Sequence, residues 1–140
     1  MLHSDRFFPS DPTTRSIAQR LFQEVEHLPL ICSHGHTDPS WFALNQNFTN
    51  PAELLIVPDH YILRMLVSQG IGLDALGVSA LDGTIQETDG RKVWRLFFEN
   101  YKLFRSTPVR HWMDHTLETL FHIEAPLELK DADQTYDLIS

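Results

Sequence analysis

Apolar residues recur at helical spacing along most of this chain. Behind Asp11-Pro12, an N-cap followed by proline at the first helical position, Ile17, Leu21 and Val25 return every four residues and predict a helix ending near His27. Asp38-Pro39 opens a short helical turn carrying Trp41 and Phe42. Asn50-Pro51-Ala52-Glu53 has the Asn and Glu of a capping box and starts a helix that Pro58 cuts short. Asp59 caps the next helix, which runs through Ser68 on an Ile62, Met65, Leu66 stripe, and Gly70 suits the left-handed residue beyond its end. Between Ile71 and Thr88, glycines 72, 77 and 83 break any long element, so a loop or short helices are expected there.

The pattern is strongest from Asp89 onward. Val93, Phe97, Tyr101 and Phe104 mark one face, with Trp94 and Phe98 on the adjacent one. Thr107-Pro108 repeats the cap-plus-proline signature ahead of Val109, Trp112, Met113, Thr116, Leu117 and Leu120, and the two helices read as an antiparallel pair. From Lys130, Ala132, Tyr136 and Ile139 outline a last helix. The helix from Asp89 is broadly apolar and expected to be well buried, and because the stripe from Trp94 to Phe104 is wider than a small helical unit can cover, the chain is also expected to expose apolar surface where a barrel should dock.

One segment departs from helical spacing. Leu28-Pro29-Leu30-Ile31-Cys32 is a short apolar run leading into His34-Gly35-His36, and it predicts a strand over about 29–34. Side chains alternate along a strand, so His-x-His at its end sends both imidazoles to the same side, where their nitrogens can reach one divalent metal and leave positions open. The competing reading is a pair of loop histidines with no metal; Asp38 nearby could orient one ring nitrogen. A lone strand has no partner for its ladder hydrogen bonds. A parallel barrel takes about 250 residues, so this chain could supply only an opening strand and a helical elaboration.

The chain has 140 residues, 42% hydrophobic and 21% charged, the balance of an ordinary globular protein, and it reads as one unit. A formal charge of -8 argues against a nucleic-acid backbone or an anionic membrane as the main partner. Cys32 is the only cysteine, which excludes an internal disulfide and favours a reducing, cytoplasmic setting. The amino terminus lacks a basic segment followed by a long apolar stretch, so neither export nor a membrane span is expected.

Further candidates are weighed against simpler roles. Asp59-His60-Tyr61 could be a cap followed by packing residues, or, facing a metal, His60 could exchange protons near neutrality beside the Tyr61 hydroxyl. Arg64, one turn on, has a solvated helix-surface charge or an ion pair as its simpler role. His111 and His115 have the spacing of a zinc pair, but Trp112 stands where a metalloprotease needs glutamate, and structural roles are favoured. No serine or cysteine sits in a Gly-x-Ser-x-Gly setting, and no phosphate-cradling glycine loop occurs.

Taken in order, Leu28-Pro29-Leu30-Ile31 with His34-Gly35-His36, then Pro58-Asp59-His60-Tyr61 with Arg64, Met65 and Gly70-Ile71, then Trp94, Phe97, Tyr101, Phe104, Thr107-Pro108, Trp112, Asp114-His115 and Tyr136-Asp137, resemble the amino-terminal portion of uronate isomerase, the glucuronate isomerase branch of the amidohydrolase superfamily. The resemblance implies an α/β fold, a metal-dependent (β/α)8 TIM barrel, of which residues 1–140 would be the mostly helical amino-terminal part with one short strand. It implies that His34 and His36 bind a divalent metal, usually zinc. His60 and Tyr61 would be catalytic, and Arg64 would bind substrate. The implied reaction interconverts aldouronate and ketouronate, D-glucuronate with D-fructuronate or D-galacturonate with D-tagaturonate, through an enediol in cytoplasmic sugar-acid breakdown. A homo-oligomer is implied for the complete enzyme.

Two departures stand out. Many family members carry Asp-Tyr where this chain has Cys32-Ser33, and the later barrel strands, with the aspartate that completes the metal site and the arginines that grip the substrate carboxylate, have no counterpart. The chain is therefore expected to be a catalytically incomplete fragment. The alternative is a non-catalytic helical interaction module derived from such an enzyme.

Overall fold

The computed structural model describes residues 2–79, 81–124 and 127–140; Ala80, within the expected 71–88 loop, lies outside the described residues. These residues fall into two compact units, Leu2–Gln46 and Asn47–Ser140. The first holds α1 (Pro12–Gln23) and α2 (Pro39–Leu44); the second holds α3 (Pro51–Leu55), α4 (His60–Val67), α5 (Gly90–Glu99), α6 (Pro108–Phe121) and α7 (Ala132–Ile139), with 3-10 turns at Asp74–Leu76, Tyr101–Phe104 and Leu129–Asp131.

Helix starts follow the caps. The Asp11 carboxylate accepts from the Thr14 backbone N–H at 2.8 Å, Asp38 from Ser40 at 2.8 Å, Asn50 from Glu53 at 3.0 Å and Asp59 from Tyr61 at 2.8 Å. Each satisfies an N–H that the first helical turn leaves without a partner. At the far end of α4, Gly70 takes φ +86 and the Ile71 N–H returns to the Leu66 carbonyl at 3.3 Å, the left-handed exit that favours glycine.

The core belongs to the second unit. Trp94, Phe97, Tyr101 and Phe104 are buried, together with Ile56, Ile62, Leu66, Leu76 and Leu117. Their rings pack in tilted contacts, with centroids 5.0 Å apart for Phe97–Tyr101 and 5.5 Å for Phe97–Phe104. The Trp94 indole N–H donates to the Ala132 carbonyl at 3.0 Å, so the largest core side chain also keeps its one polar atom satisfied. On the rim, Arg95 grips the Asp133 carboxylate through two nitrogens at 2.8 and 3.0 Å, and Arg91 bonds Asp137 while its guanidinium lies 4.2 Å from the Tyr136 ring centroid.

Three expectations change. No strand forms among the described residues: 29–34 makes no ladder, and Leu30 and Ile31 are 89% and 96% exposed. An apolar run becomes a strand only where a second strand takes up its backbone hydrogen bonds, and none is present here. Nor do α5 and α6 pair. After Glu99 the chain tightens into the Tyr101–Phe104 turn and swings out through Ser106 at φ +65, so α5 packs mainly against α3 and α7, while α6 packs on the turn. Finally, the Trp94–Phe104 stripe is not too wide to be covered: its aromatic residues are buried, with α3 and α7 packed on α5. The exposed apolar residues lie elsewhere: none of residues 2–46 is buried, although Phe8 and Phe22 meet edge to face at 5.9 Å.

Gly90 shows how tightly α5 approaches α3. A Cβ there would stand 2.3 Å from the Asn50 side-chain oxygen, the atom that caps α3. Gly90→Ala should therefore cost about 1 kcal/mol, the worth of a cap. In an Asn50→Ala background the same change should be neutral or stabilising, because only alanine's helix preference remains, up to about 1 kcal/mol. Urea unfolding of the four proteins measures both, and equal effects in the two backgrounds would rule the clash out.

Candidate functional site

His34 and His36 flank Gly35 in irregular backbone ahead of α2. Their rings meet edge to face with centroids 4.9 Å apart, and their Nε2 atoms are 2.9 Å apart. At that separation one ring donates an N–H to the other, which brings both Nε2 atoms to one point of the exposed surface. These are the residues that could hold a metal: two nitrogens on one zinc ion, each bonded at about 2.0–2.1 Å, lie at most about 4.2 Å apart. Among the described residues no third His, Cys, Asp or Glu completes such a group. Asp38 takes a different task from the orienting one expected of it. Its carboxylate caps α2, and the Ser40 backbone N–H holds its pKa below the ordinary value.

The second cluster lies at the start of α4. Asp59 accepts from the backbone N–H groups of Tyr61 at 2.8 Å and Ile62 at 3.3 Å, which fixes His60 and Tyr61 in the first turn. Burial of Ile62 and Leu66 on the opposite face pins the helix, leaving Tyr61 exposed and His60 half-buried. The His60 and Tyr61 rings lie 4.1 Å apart at 35°, and the Arg64 guanidinium carbon stands 5.2 Å from the Tyr61 centroid. Tyr61, Arg64, Met65 and Ser68 form one side of a groove of about 370 Å³, and Phe104, Thr107, Pro108 and Val109 the other. His34 is thus brought to His36, and His60 to Tyr61 with Arg64; the two clusters belong to different units.

Residues 5–140 match the glucuronate isomerase family. The chain belongs to that family. It is 55% identical over 136 residues to a uronate isomerase of Mesorhizobium japonicum, covering 97% of this chain and 29% of the relative. Against a uronate isomerase of Rhizobium meliloti the identity is 52% over 140 residues, 100% of this chain and 30% of the relative. The crystal structure of glucuronate isomerase from Caulobacter crescentus superposes with a TM-score of 0.91 at 48% identity, covering 99% of this chain and 29% of that one. The chain thus spans under a third of the length of the relatives it matches, in their amino-terminal portion. No helix among the described residues is long and apolar enough to cross a membrane.

Within this glucuronate isomerase segment lies a polar cluster that sequence reasoning missed. The Tyr101 hydroxyl donates to Asp114 Oδ1 at 2.7 Å, Arg110 Nε donates to Asp114 Oδ2 at 2.8 Å, and the Arg110 guanidinium carbon sits 3.9 Å from the Tyr101 ring centroid. Asp114 is only 7% exposed. Burial, and then the hydrogen bond to Asp114, push the Tyr101 phenol well above the ordinary tyrosine value. The Arg110/Asp114 spacing of four was a readable signal for an ion pair on α6. Nothing local pointed to Tyr101 as the third member.

Proposed function

We propose that this chain is the metal-binding amino-terminal part of a cytoplasmic uronate isomerase of the amidohydrolase type, whose complete form is a homo-oligomeric (β/α)8 barrel. The observation that carries the proposal is the 2.9 Å approach of His34 and His36 in a member of the glucuronate isomerase family. Support for a barrel comes from the exposed apolar stretch around Leu30 and Ile31, whose backbone has no sheet partner among the described residues and would gain one as the first barrel strand.

On this reading His34 and His36 hold a divalent ion, with zinc suiting two imidazoles. When bound, the ion supplies positive charge and open coordination positions for oxygens of an open-chain uronate. The remaining chemistry is proton transfer between C2 and C1 through an enediol. That needs a group that takes a proton next to a carbonyl and a donor that stabilises the developing oxyanion. His60 can exchange the proton, and Tyr61, 4.1 Å away ring to ring, can donate its hydroxyl hydrogen bond. Arg64 places a fixed positive charge beside Tyr61, suited to the substrate carboxylate.

The test is an assay of the full-length protein that contains these residues, following interconversion of D-glucuronate with D-fructuronate and of D-galacturonate with D-tagaturonate. Turnover of at least one pair, with a divalent metal bound per chain, is the expected result. A folded, metal-supplemented protein that turns over neither pair would remove the reading in favour of a helical interaction module.

A further inference from the structure

The groove beside Tyr61 has one helical side and one side made by a turn. Tyr61, Arg64 and Met65 come from α4 and Ser68 caps its end, whereas Phe104 closes the 3-10 turn and Pro108 and Val109 open α6, the two being joined by the link Arg105–Thr107. That link is strained. Ser106 sits at φ +65, a left-handed conformation that a residue with a Cβ adopts only when its surroundings impose it.

The imposing contacts converge on one carboxylate. Asp114 takes a hydrogen bond from Tyr101, just before the link, on one oxygen, and from Arg110, just after it, on the other, at 2.7 and 2.8 Å. Tyr101 thereby ties the start of the turn to α6, Arg110 on α6 itself holds the same carboxylate in place, and inside the link the Thr107 hydroxyl donates to the Phe104 carbonyl at 2.7 Å. Apolar packing alone would hold the turn near this place. A buried carboxylate with two directional partners accepts fewer arrangements, because any shift leaves a charge or a hydroxyl without its bond.

We propose that Tyr101, Arg110 and Asp114 form a positioning device that sets the wall of the groove opposite Tyr61 and so fixes how a bound uronate meets the Tyr61 hydroxyl. The inference rests on the reading of Tyr61 as a substrate-contacting group. None of the three touches the reacting atoms; they act through Phe104 and Thr107 to Val109.

A double-mutant cycle in the full-length protein tests it, with Tyr101→Phe, Tyr61→Phe and the pair. Tyr101→Phe keeps the ring under Arg110 and removes only the hydroxyl. At a temperature well below the melting point, it is expected to lower kcat by roughly tenfold to a hundredfold, the range a misplaced group costs, with little change in KM. In the Tyr61→Phe background the same substitution should have no further effect, because the group it positions is gone. An unchanged kcat in Tyr101→Phe, or an equal loss in both backgrounds, would overturn the positioning role while leaving Tyr61 in place. A silent Tyr61→Phe would instead remove the reading of Tyr61 and this inference with it. Should Tyr101→Phe fail to fold, Arg110→Lys, which keeps the positive charge beside Asp114 but removes the directional Nε–H bond, carries the same cycle.

Discussion

Replacing His34 with alanine in the full-length protein is expected to release the metal and cut isomerase turnover by more than about 100-fold, since losing a mere orienting partner of a ligand already costs about 10–100-fold. The size of the effect follows from how few donors the segment offers. His34 and His36 bring their Nε2 atoms within 2.9 Å of each other, and among the described residues no third His, Cys, Asp or Glu completes a metal-binding group with them. Removing one leaves a single imidazole. His36→Ala should match it, and the double variant should be no worse than either, because residues that act as a unit are not additive. Both histidines are exposed in irregular backbone, so the stability of the metal-free protein should move by no more than about 0.5 kcal/mol. Elemental analysis and turnover, measured on the same preparations, report the outcome. Full metal occupancy with near-normal turnover in His34→Ala would rule out the ligand role.

Arg110→Ala should give the largest loss of stability, about 3–5 kcal/mol, the usual result of breaking a buried ion pair from one side. The side chains of Arg110 and Asp114 are 19% and 10% exposed, so water cannot replace the missing cation well. A variant with both partners apolar, Arg110→Met with Asp114→Leu, should recover much of the loss, because no unpaired charge stays behind. Chemical denaturation of the two variants checks this, and a loss below about 1 kcal/mol for Arg110→Ala would mark the pair as an ordinary surface contact. The same cluster has an alkaline signature. Burial and Asp114 raise the Tyr101 pKa in the folded state, so above about pH 10 the unfolded chain gives up this proton while the native chain keeps it. The native state then binds more protons, and stability falls as pH rises through that range. Tyr101→Phe should flatten this alkaline slope.

The legible parts of the fold were those whose causes lie within a few residues. Asp11, Asp38, Asn50, Asp59 and Thr107 each cap a helix through a bond to a backbone N–H two or three positions on. The residues of the Trp94–Phe104 stripe were readable as core from spacing alone, and all five aromatic members are buried. Of the candidate site, the approach of His34 to His36 and of Tyr61 to Arg64 also needed only short spacing, two and three residues apart.

What the amino-acid order determined by itself was therefore the helix starts, the apolar faces and the grouping of histidines, since each depends on neighbours that the chain holds close whatever the rest of the molecule does. Tertiary structure alone decided the remainder. Whether Leu30 and Ile31 form a strand depends on a partner strand, and none is present among the described residues. The Trp94 stripe is covered because α7, some forty residues on, bonds the indole through Ala132 (|i−j| = 38). Tyr101 finds Asp114 across thirteen residues because a strained turn folds α6 back onto it. A hydrogen bond or a packed face needs two surfaces to meet, and spacing along one segment records only the first of them.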